Sequence, residues 1–212
     1  MSELLNTIQE AIRTGKLETA VESVNEALKQ GIDPQTIISD SLIKGMEIIG
    51  QQFQDGKAFV PDLLLSARAM KGSLEILKPL LKDGNSATMG VVIIGTVKGD
   101  LHDIGKNLVA SMFEGCGFEV INLGIDVSCG QFINAIKEHN ADILCLSALL
   151  TTTMNYMAEV INALEDAGLR DKIKIMVGGA PLNENFAKQI KADAYSSNAN
   201  AAVQTAKELL DK

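Results

Sequence analysis

"TMGVVIIGTVKGDLHDIGKN", residues 88–107, is where the chain changes character. Its first half, 88–97, is a continuous apolar run, as expected of a strand buried on both faces of a parallel sheet. The second half is a polar, glycine-containing loop with His102, one of two histidines in the chain. From this point short strands near 118–122, 142–147, 173–177 and 193–195 alternate with helices near 104–115, 129–140, 153–168, 183–191 and 199–211. Five such strand–helix units predict a doubly wound α/β domain over 88–212, a five-stranded parallel sheet with right-handed crossovers.

Upstream the rhythm is different. Leu4, Leu5, Ile8, Ala11 and Ile12 recur at helical spacing, and Gly15 breaks the pattern. Leu17, Ala20, Val21, Val24, Ala27 and Leu28 mark a second helix that ends at Gly31. Asp33-Pro34 supplies a cap and a proline at the first helical position of a third. Its apolar face is Ile37, Ile38, Leu42, Ile43, Met46 and Ile49. Pro61 opens a fourth helix running to about Leu81. Short connections make this an all-α four-helix bundle, residues 1–84. The small, polar stretch 82–90, "KDGNSATMG", links it to the second domain, which is Rossmann- or flavodoxin-like in class.

Composition narrows the function. The chain has 212 residues, 46% hydrophobic and 22% charged, with a net charge of −8. Its sequence pI is about 4.8. That balance argues against nucleic acid and against an anionic membrane surface as partner. No apolar run approaches the ~20 residues of a membrane span. The N-terminus lacks the basic and apolar segments of a signal peptide, so a cytoplasmic location is expected. The three cysteines, 116, 129 and 145, match no zinc or iron–sulfur spacing and read as buried free thiols. His139 reads as a solvated helix end, and the methionines as core filler.

In a doubly wound sheet, ligands bind beyond the carboxyl ends of the strands. Four loops leave those ends: "KGDLHDIG", "SALLTTTM", "GGAP" and "YSSNA". Glycine, serine and threonine there let a bulky ligand approach the backbone. A dinucleotide loop needs G-x-G-x-x-G, and Gly95, Gly99 and Gly105 do not provide it. A phosphate loop fails as well, by one residue of spacing and by Asn107 after Lys106. A phospho-acceptor aspartate after the third strand is replaced by Ser147. What remains is Asp100-x-His102. The carboxylate can bond one imidazole nitrogen and leave the other for a metal. One histidine closes no metal site, but it can be an axial ligand where a macrocycle supplies the rest. A loop histidine with a local hydrogen bond fits the same two residues.

The longer pattern is more specific. Asp100-x-His102-x-x-Gly105 is followed by Ser147-x-Leu149 and then Gly178-Gly179. Between them, 41 residues separate Gly105 from Ser147 and 28 separate Leu149 from Gly178. This resembles the cobalamin-binding signature of methionine synthase, the cobalamin mutases and the corrinoid proteins of methyltransferase systems. The helical half, with "FVPDLLLSARAMKGSLEIL" at 59–77, is similar to the cap that covers the cofactor in methionine synthase. The resemblance therefore spans essentially the whole chain, and is closest to the corrinoid subunit of a three-component methyltransferase.

It implies a methyl carrier. Cobalt(I) of bound cobalamin would accept a methyl group from a donor activated on a substrate-specific methyltransferase. It would pass it, as methyl-cobalt(III), to a second methyltransferase that uses tetrahydrofolate or a thiol. A reductive activator is a further implied partner. His102 would be the lower cobalt ligand, Asp100 would orient its ring, and Thr153 would be the third member of that chain. Ser147, Leu149, Gly178 and Gly179 would line the slot for the nucleotide tail, with Tyr195 and Ser196 closing its far end. Gly105 would let its helix begin close to the corrin. Thr96, Val97, Gly99, Asp103, Ile104 and Thr151 are implied neighbours of the corrin or tail. Phe59 and Val60 are candidates for the upper cobalt face, and equally for ordinary bundle core. The resemblance admits two other readings: a cobalamin-dependent sensor, which usually adds a DNA-binding segment, and a small mutase subunit, which normally lacks the helical cap.

Overall fold

The computed structural model describes residues 2–81 and 88–211, so most of the expected linker at 82–90 lies outside the described residues. The chain divides into two compact units, Met1–Met89 with Glu114–Gly117, and Gly90–Phe113 with Phe118–Lys212.

The first unit is helical. α1 (Ser2–Arg13) and α2 (Leu17–Lys29) are followed by α3 (Pro34–Ile37) and α4 (Ile43–Gln54), which a π turn at Ile38–Leu42 joins into one helical segment. α5 (Val60–Leu77) completes four segments. Local chemistry sets their ends. The Asp33 carboxylate accepts from the Thr36 N–H at 3.1 Å, and Pro34 takes the first helical position, where no N–H is needed. The Asp62 carboxylate accepts from the Phe59 N–H at 2.8 Å where α5 begins. α5 stops at Leu77 rather than at Leu81 and tightens into a 3-10 turn at Lys78–Leu80. Pro79 is the cause, because its nitrogen carries no hydrogen to continue the α-helical ladder. Ile8, Ile12, Val24, Leu42, Leu63, Met70 and Leu77 form the interior. Phe59 and Val60 do not join it: they are 69% and 37% exposed, which corrects their reading as bundle core. Leu64 and Leu65 near them are exposed as well.

The second unit is a five-stranded parallel sheet in the order β2-β1-β3-β4-β5. Its elements are β1 (Val91–Thr96), α6 (Ile104–Gly115), β2 (Glu119–Asn122), α7 (Cys129–His139), β3 (Ile143–Ser147), α8 (Tyr156–Asp166), β4 (Lys174–Gly178), α9 (Glu184–Gln189), β5 (Ala194–Tyr195) and α10 (Ala199–Leu209). Alternation decides which side chains face which layer. Ile93, Leu144, Leu146, Ile175 and Val177 pack in one cluster with Phe132, Val160, Ile161 and Leu164 of α7 and α8. Val92, Ile94, Ile143, Cys145 and Met176, on the opposite face, are buried too. Burial on both faces is why β1 reads as an unbroken apolar run.

Two expectations shift. α8 starts at Tyr156 rather than near 153, because residues 151–155 are turns and the Thr153 hydroxyl is engaged elsewhere. Cys116 and Cys145 are buried, and burial pushes the Cys145 thiol up to about 12. Cys129 is only half-buried: it opens α7, and its sulfur lies 3.2 Å from the Tyr156 hydroxyl. Among the described residues no helix is long and apolar enough to cross a membrane.

Gly95, in the middle of β1, is dictated by packing. A Cβ there would lie 2.7 Å from Cε1 and 2.9 Å from Cζ of Phe132. Phe132 is fully buried and has nowhere to retreat. Gly95→Ala therefore destabilises the fold by about 1–3 kcal/mol through overpacking. Denaturant unfolding of the two proteins measures this as a lower midpoint at unchanged slope.

Candidate functional site

The strand order reverses direction between β1 and β3, the point where a doubly wound sheet opens a crevice at its carboxyl edge. Register places Thr96 beside Ser147, and Ser147 beside Gly178, in one row along that edge. Ser196 extends the row, its N–H donating to the Val177 carbonyl at 3.1 Å. The four loops singled out in the sequence thus share one rim.

At its centre is Asp100, which is 0% exposed. One carboxylate oxygen accepts from the backbone N–H of His102 at 3.0 Å and faces His102 Nδ1 at 2.8 Å. The other accepts from the Leu149 N–H at 2.8 Å, the Leu150 N–H at 3.3 Å and the Thr153 hydroxyl at 2.6 Å. Burial alone would push this carboxyl up. Hydrogen bonds from Thr153, from the His102 and Leu149 N–H groups and from the His102 ring outweigh burial and hold it well below the usual carboxylate range. An ionised carboxylate only accepts, so Nδ1 carries the hydrogen of this contact and Nε2 is the ring nitrogen left unbonded to Asp100. The His102 side chain is 49% exposed, so the imidazole is fixed on one side and open on the other. That arrangement suits a metal ligand. Among the described residues, no three His, Cys, Asp or Glu side chains are grouped to hold a bare ion.

The remaining candidates divide by what they can offer. The Thr96 hydroxyl donates to the His102 carbonyl at 3.0 Å and is buried, so it shapes the loop from beneath. Val97 is fully buried in the cluster around Phe132, because strand alternation sends it to that face. Its side chain presents no surface to the rim, which corrects the expectation for Val97. Gly99 adopts φ +84°, a left-handed turn. Asp103 bonds Asn107 Nδ2 at 2.8 Å at the start of α6. Ile104 is 88% exposed, and a Cβ on Gly105 would meet nothing within 4 Å. Leu149 and Thr151 are exposed, and Thr153 is buried. A Cβ on Gly179 would stand 1.8 Å from the Ala148 carbonyl oxygen, so the two loops touch there only because the residue is glycine. Tyr195 leans on the core, and the Ser196 hydroxyl is buried with no hydrogen-bond partner. Phe59 and Val60 belong to the helical unit and stand apart from this cluster in the chain.

Three features of the rim were not read from the sequence. Leu101 and Leu150 are exposed apolar side chains on the loops that carry His102 and Leu149, and Ile125 is exposed on the loop after β2. A leucine between Asp100 and His102, in an otherwise polar loop, was the available signal. Lys106 is 3% exposed, and its ammonium donates to Asn107 at 2.6 Å and Asn122 at 2.7 Å. Desolvation holds its pKa below the ordinary lysine value, with nearby Asp103 opposing that. Asp126 contacts Gly99, a pairing that no local pattern announces.

Comparison with known proteins points to one ligand. Residues 90–204 match a B12 binding domain model, and residues 4–78 match a second B12 binding domain model. The chain is 44% identical to dimethylamine corrinoid protein 1 of Methanosarcina acetivorans, over 98% of each chain. It superposes on a cobalamin-binding protein from Desulfitobacterium hafniense with a TM-score of 0.82 at 34% identity, covering 97% of this chain and 98% of that one. A methanol:cobalamin methyltransferase complex from Methanosarcina barkeri gives a TM-score of 0.85 at 32% identity, covering 99% of this chain and 80% of that one.

Asp100→Asn tests the electrostatics of the site without a ligand. The amide turns one acceptor oxygen into a donor facing N–H or O–H groups, which costs about 2 kcal/mol at neutral pH. A carboxylate with a depressed folded-state pKa stabilises the fold above its unfolded value, about 3.9, and that contribution is lost as pH falls below it. The Tm gap between wild type and Asp100→Asn is therefore wide at neutral pH and narrows on acidification below about pH 4. A gap independent of pH contradicts the assignment.

Proposed function

We infer the function from the family to which the chain belongs, the cobalamin-binding corrinoid proteins. The proposal is that it is the methyl-carrying subunit of a methyltransferase system. The observation that carries it is the Asp100–His102 pair, 2.8 Å apart, with the imidazole half-exposed at the topological switch point of the sheet.

The residues present fit cobalamin. A histidine with one nitrogen committed to a buried carboxylate could hold its cobalt through the other nitrogen. The orphaned Ser196 hydroxyl and the close glycine contact at Gly179 suit a tightly enclosed polar tail. Leu101, Ile104, Ile125, Leu149 and Leu150 suit the face of a large, partly apolar ring. Bound there, cobalamin supplies a cobalt centre able to take up and release a methyl group.

Each residue then has a distinct task. His102 Nε2 would hold the cobalt. Asp100 fixes the tautomer and the ring plane, and Thr153 keeps the second carboxylate oxygen occupied. Ser147, Gly178, Gly179, Tyr195 and Ser196 line the tail slot. The exposed leucines and isoleucines exclude water around the imidazole, which strengthens its bond to Asp100. Residues 1–84 we assign as the helical cap domain and residues 88–212 as the cofactor domain. On the donor side we assign a methyltransferase acting on a methylated amine, as the name of the dimethylamine relative suggests. On the acceptor side we assign a methyltransferase using tetrahydrofolate or a thiol, with a reductive activator to restore the lowest cobalt state. With these partners we assign the protein to the cytoplasm.

The experiment loads wild type and His102→Ala with hydroxocobalamin, desalts both, and compares absorbance spectra. Wild type retains about one equivalent in a histidine-ligated form, and the variant shows a different lower-ligand spectrum or loses the corrin. Identical spectra would remove His102 from the cobalt, and a wild type that retains no corrin would remove the methyl-carrier reading altogether.

A further inference from the structure

Asp100 secures the histidine loop from the β3 side. A second attachment comes from the opposite side, and the assignments above do not use it. We propose that Asp126, on the loop after β2, is a positioning residue that braces the Gly99–Asp100 peptide and so sets the reach of His102. This rests on the reading of His102 as the cobalt ligand.

The backbone gives the first indication. Asp126 has φ +55°, in the left-handed region that non-glycine residues rarely enter. Among the described residues, the other non-glycine cases are Asn140, Lys191 and Asp211. Each of those follows the end of a helix, where a left-handed residue terminates the spiral. Asp126 follows a strand, so helix termination does not explain it.

The hydrogen bonds show what the conformation achieves. The Asp126 carboxylate accepts from the Gly99 N–H at 2.7 Å, and the Asp126 N–H donates to the Asp100 carbonyl at 3.2 Å. One residue therefore grips both sides of the Gly99–Asp100 step, two residues before His102. Gly99, at φ +84°, is the most easily rotated point of that loop. A charge-assisted bond to its N–H removes that freedom.

A brace works only if it is itself fixed, and this one is. The Thr96 N–H donates to the Gly124 carbonyl at 3.0 Å, and the Val127 N–H donates to the Thr96 carbonyl at 3.0 Å. Asn122 Oδ1 accepts from the Gly124 N–H at 3.0 Å and from the buried Lys106 ammonium at 2.7 Å. Residues 122–127 are thus tied to β1 and to the first turns of α6. The loop that carries His102 is held between two rigid neighbours, by Asp100 on one side and by Asp126 on the other.

Two variants isolate the brace. Asp126→Gly keeps the left-handed backbone without strain and removes the carboxylate. Asp126→Asn keeps an acceptor oxygen on a residue type that tolerates the same conformation. Each is loaded with hydroxocobalamin, and the equilibrium between histidine and water at cobalt is read from absorbance as a function of pH. Amide hydrogen exchange at Gly99 is read in the cofactor-free proteins. Asp126→Gly shifts the ligation equilibrium toward water about tenfold and speeds Gly99 exchange about tenfold, whereas Asp126→Asn restores both to within about twofold of wild type. Wild-type ligation in Asp126→Gly overturns the brace, as does an equal loss in both variants. A wild type without histidine ligation overturns the brace together with the ligand reading, so the two failures are distinguishable.

Discussion

A fully buried carboxylate with five hydrogen bonds is the constraint on which the rim depends. Leaving an ionised Asp100 unpaired in the interior would cost several kcal/mol. The fold offsets that cost without a lysine or arginine, using donors from two separate loops. Its own loop contributes the His102 N–H and ring, and the loop after β3 contributes Leu149, Leu150 and Thr153. The carboxylate is therefore a knot between β1 and β3. It also decides the local structure around it: while the Thr153 hydroxyl points to Asp100, residues 151–155 stay in turns and α8 begins at Tyr156.

The sheet makes that knot possible. In a parallel sheet, every strand delivers its following loop to the same edge. β1 and β3 are neighbours, and their crossovers leave toward opposite faces, so the space above them is a crevice. Thr96, Ser147, Gly178 and Ser196 line its floor in one row. Glycine at 179 brings the loops after β3 and β4 into contact, where any Cβ would strike the Ala148 carbonyl. The floor is thus rigid and closely packed, while the upper side of the rim exposes Leu101, Ile104, Ile125, Leu149 and Leu150. Rigidity below and apolar surface above suit a cofactor whose position must not drift between successive partners.

In the methyl-carrier reading the rim has nothing to say about the donor. Its polar groups address an axial ligand and a tail, and its apolar groups address a ring. Selection among methylated substrates then belongs to the partner enzymes, and relatives serving different donors can share one scaffold. What this chain contributes is the placement of a single imidazole, which the Asp100 and Asp126 attachments fix from two directions.

The sequence by itself determined the layers and the pair at their edge. The change from helical to strand periodicity near residue 88 separates the two halves, and the unbroken apolar run at 88–97 announces a strand covered on both faces. α6 lies at 104–115 as expected, since helix periodicity and loop composition act over a few residues. Asp100 and His102 are legible for the same reason: two positions apart, their bond needs no distant partner. Only the tertiary structure decided the rest. Thr153 meets Asp100 across 53 positions and Asp126 meets Gly99 across 27, and both contacts exist because β-strand register aligns the loop ends. Val97, apolar and next to the signature, turns into the core by alternation, and Phe59 and Val60 remain exposed. Hydrogen bonds and periodicity within a turn or two are written in the local sequence; contacts between loops are written in the order of the strands.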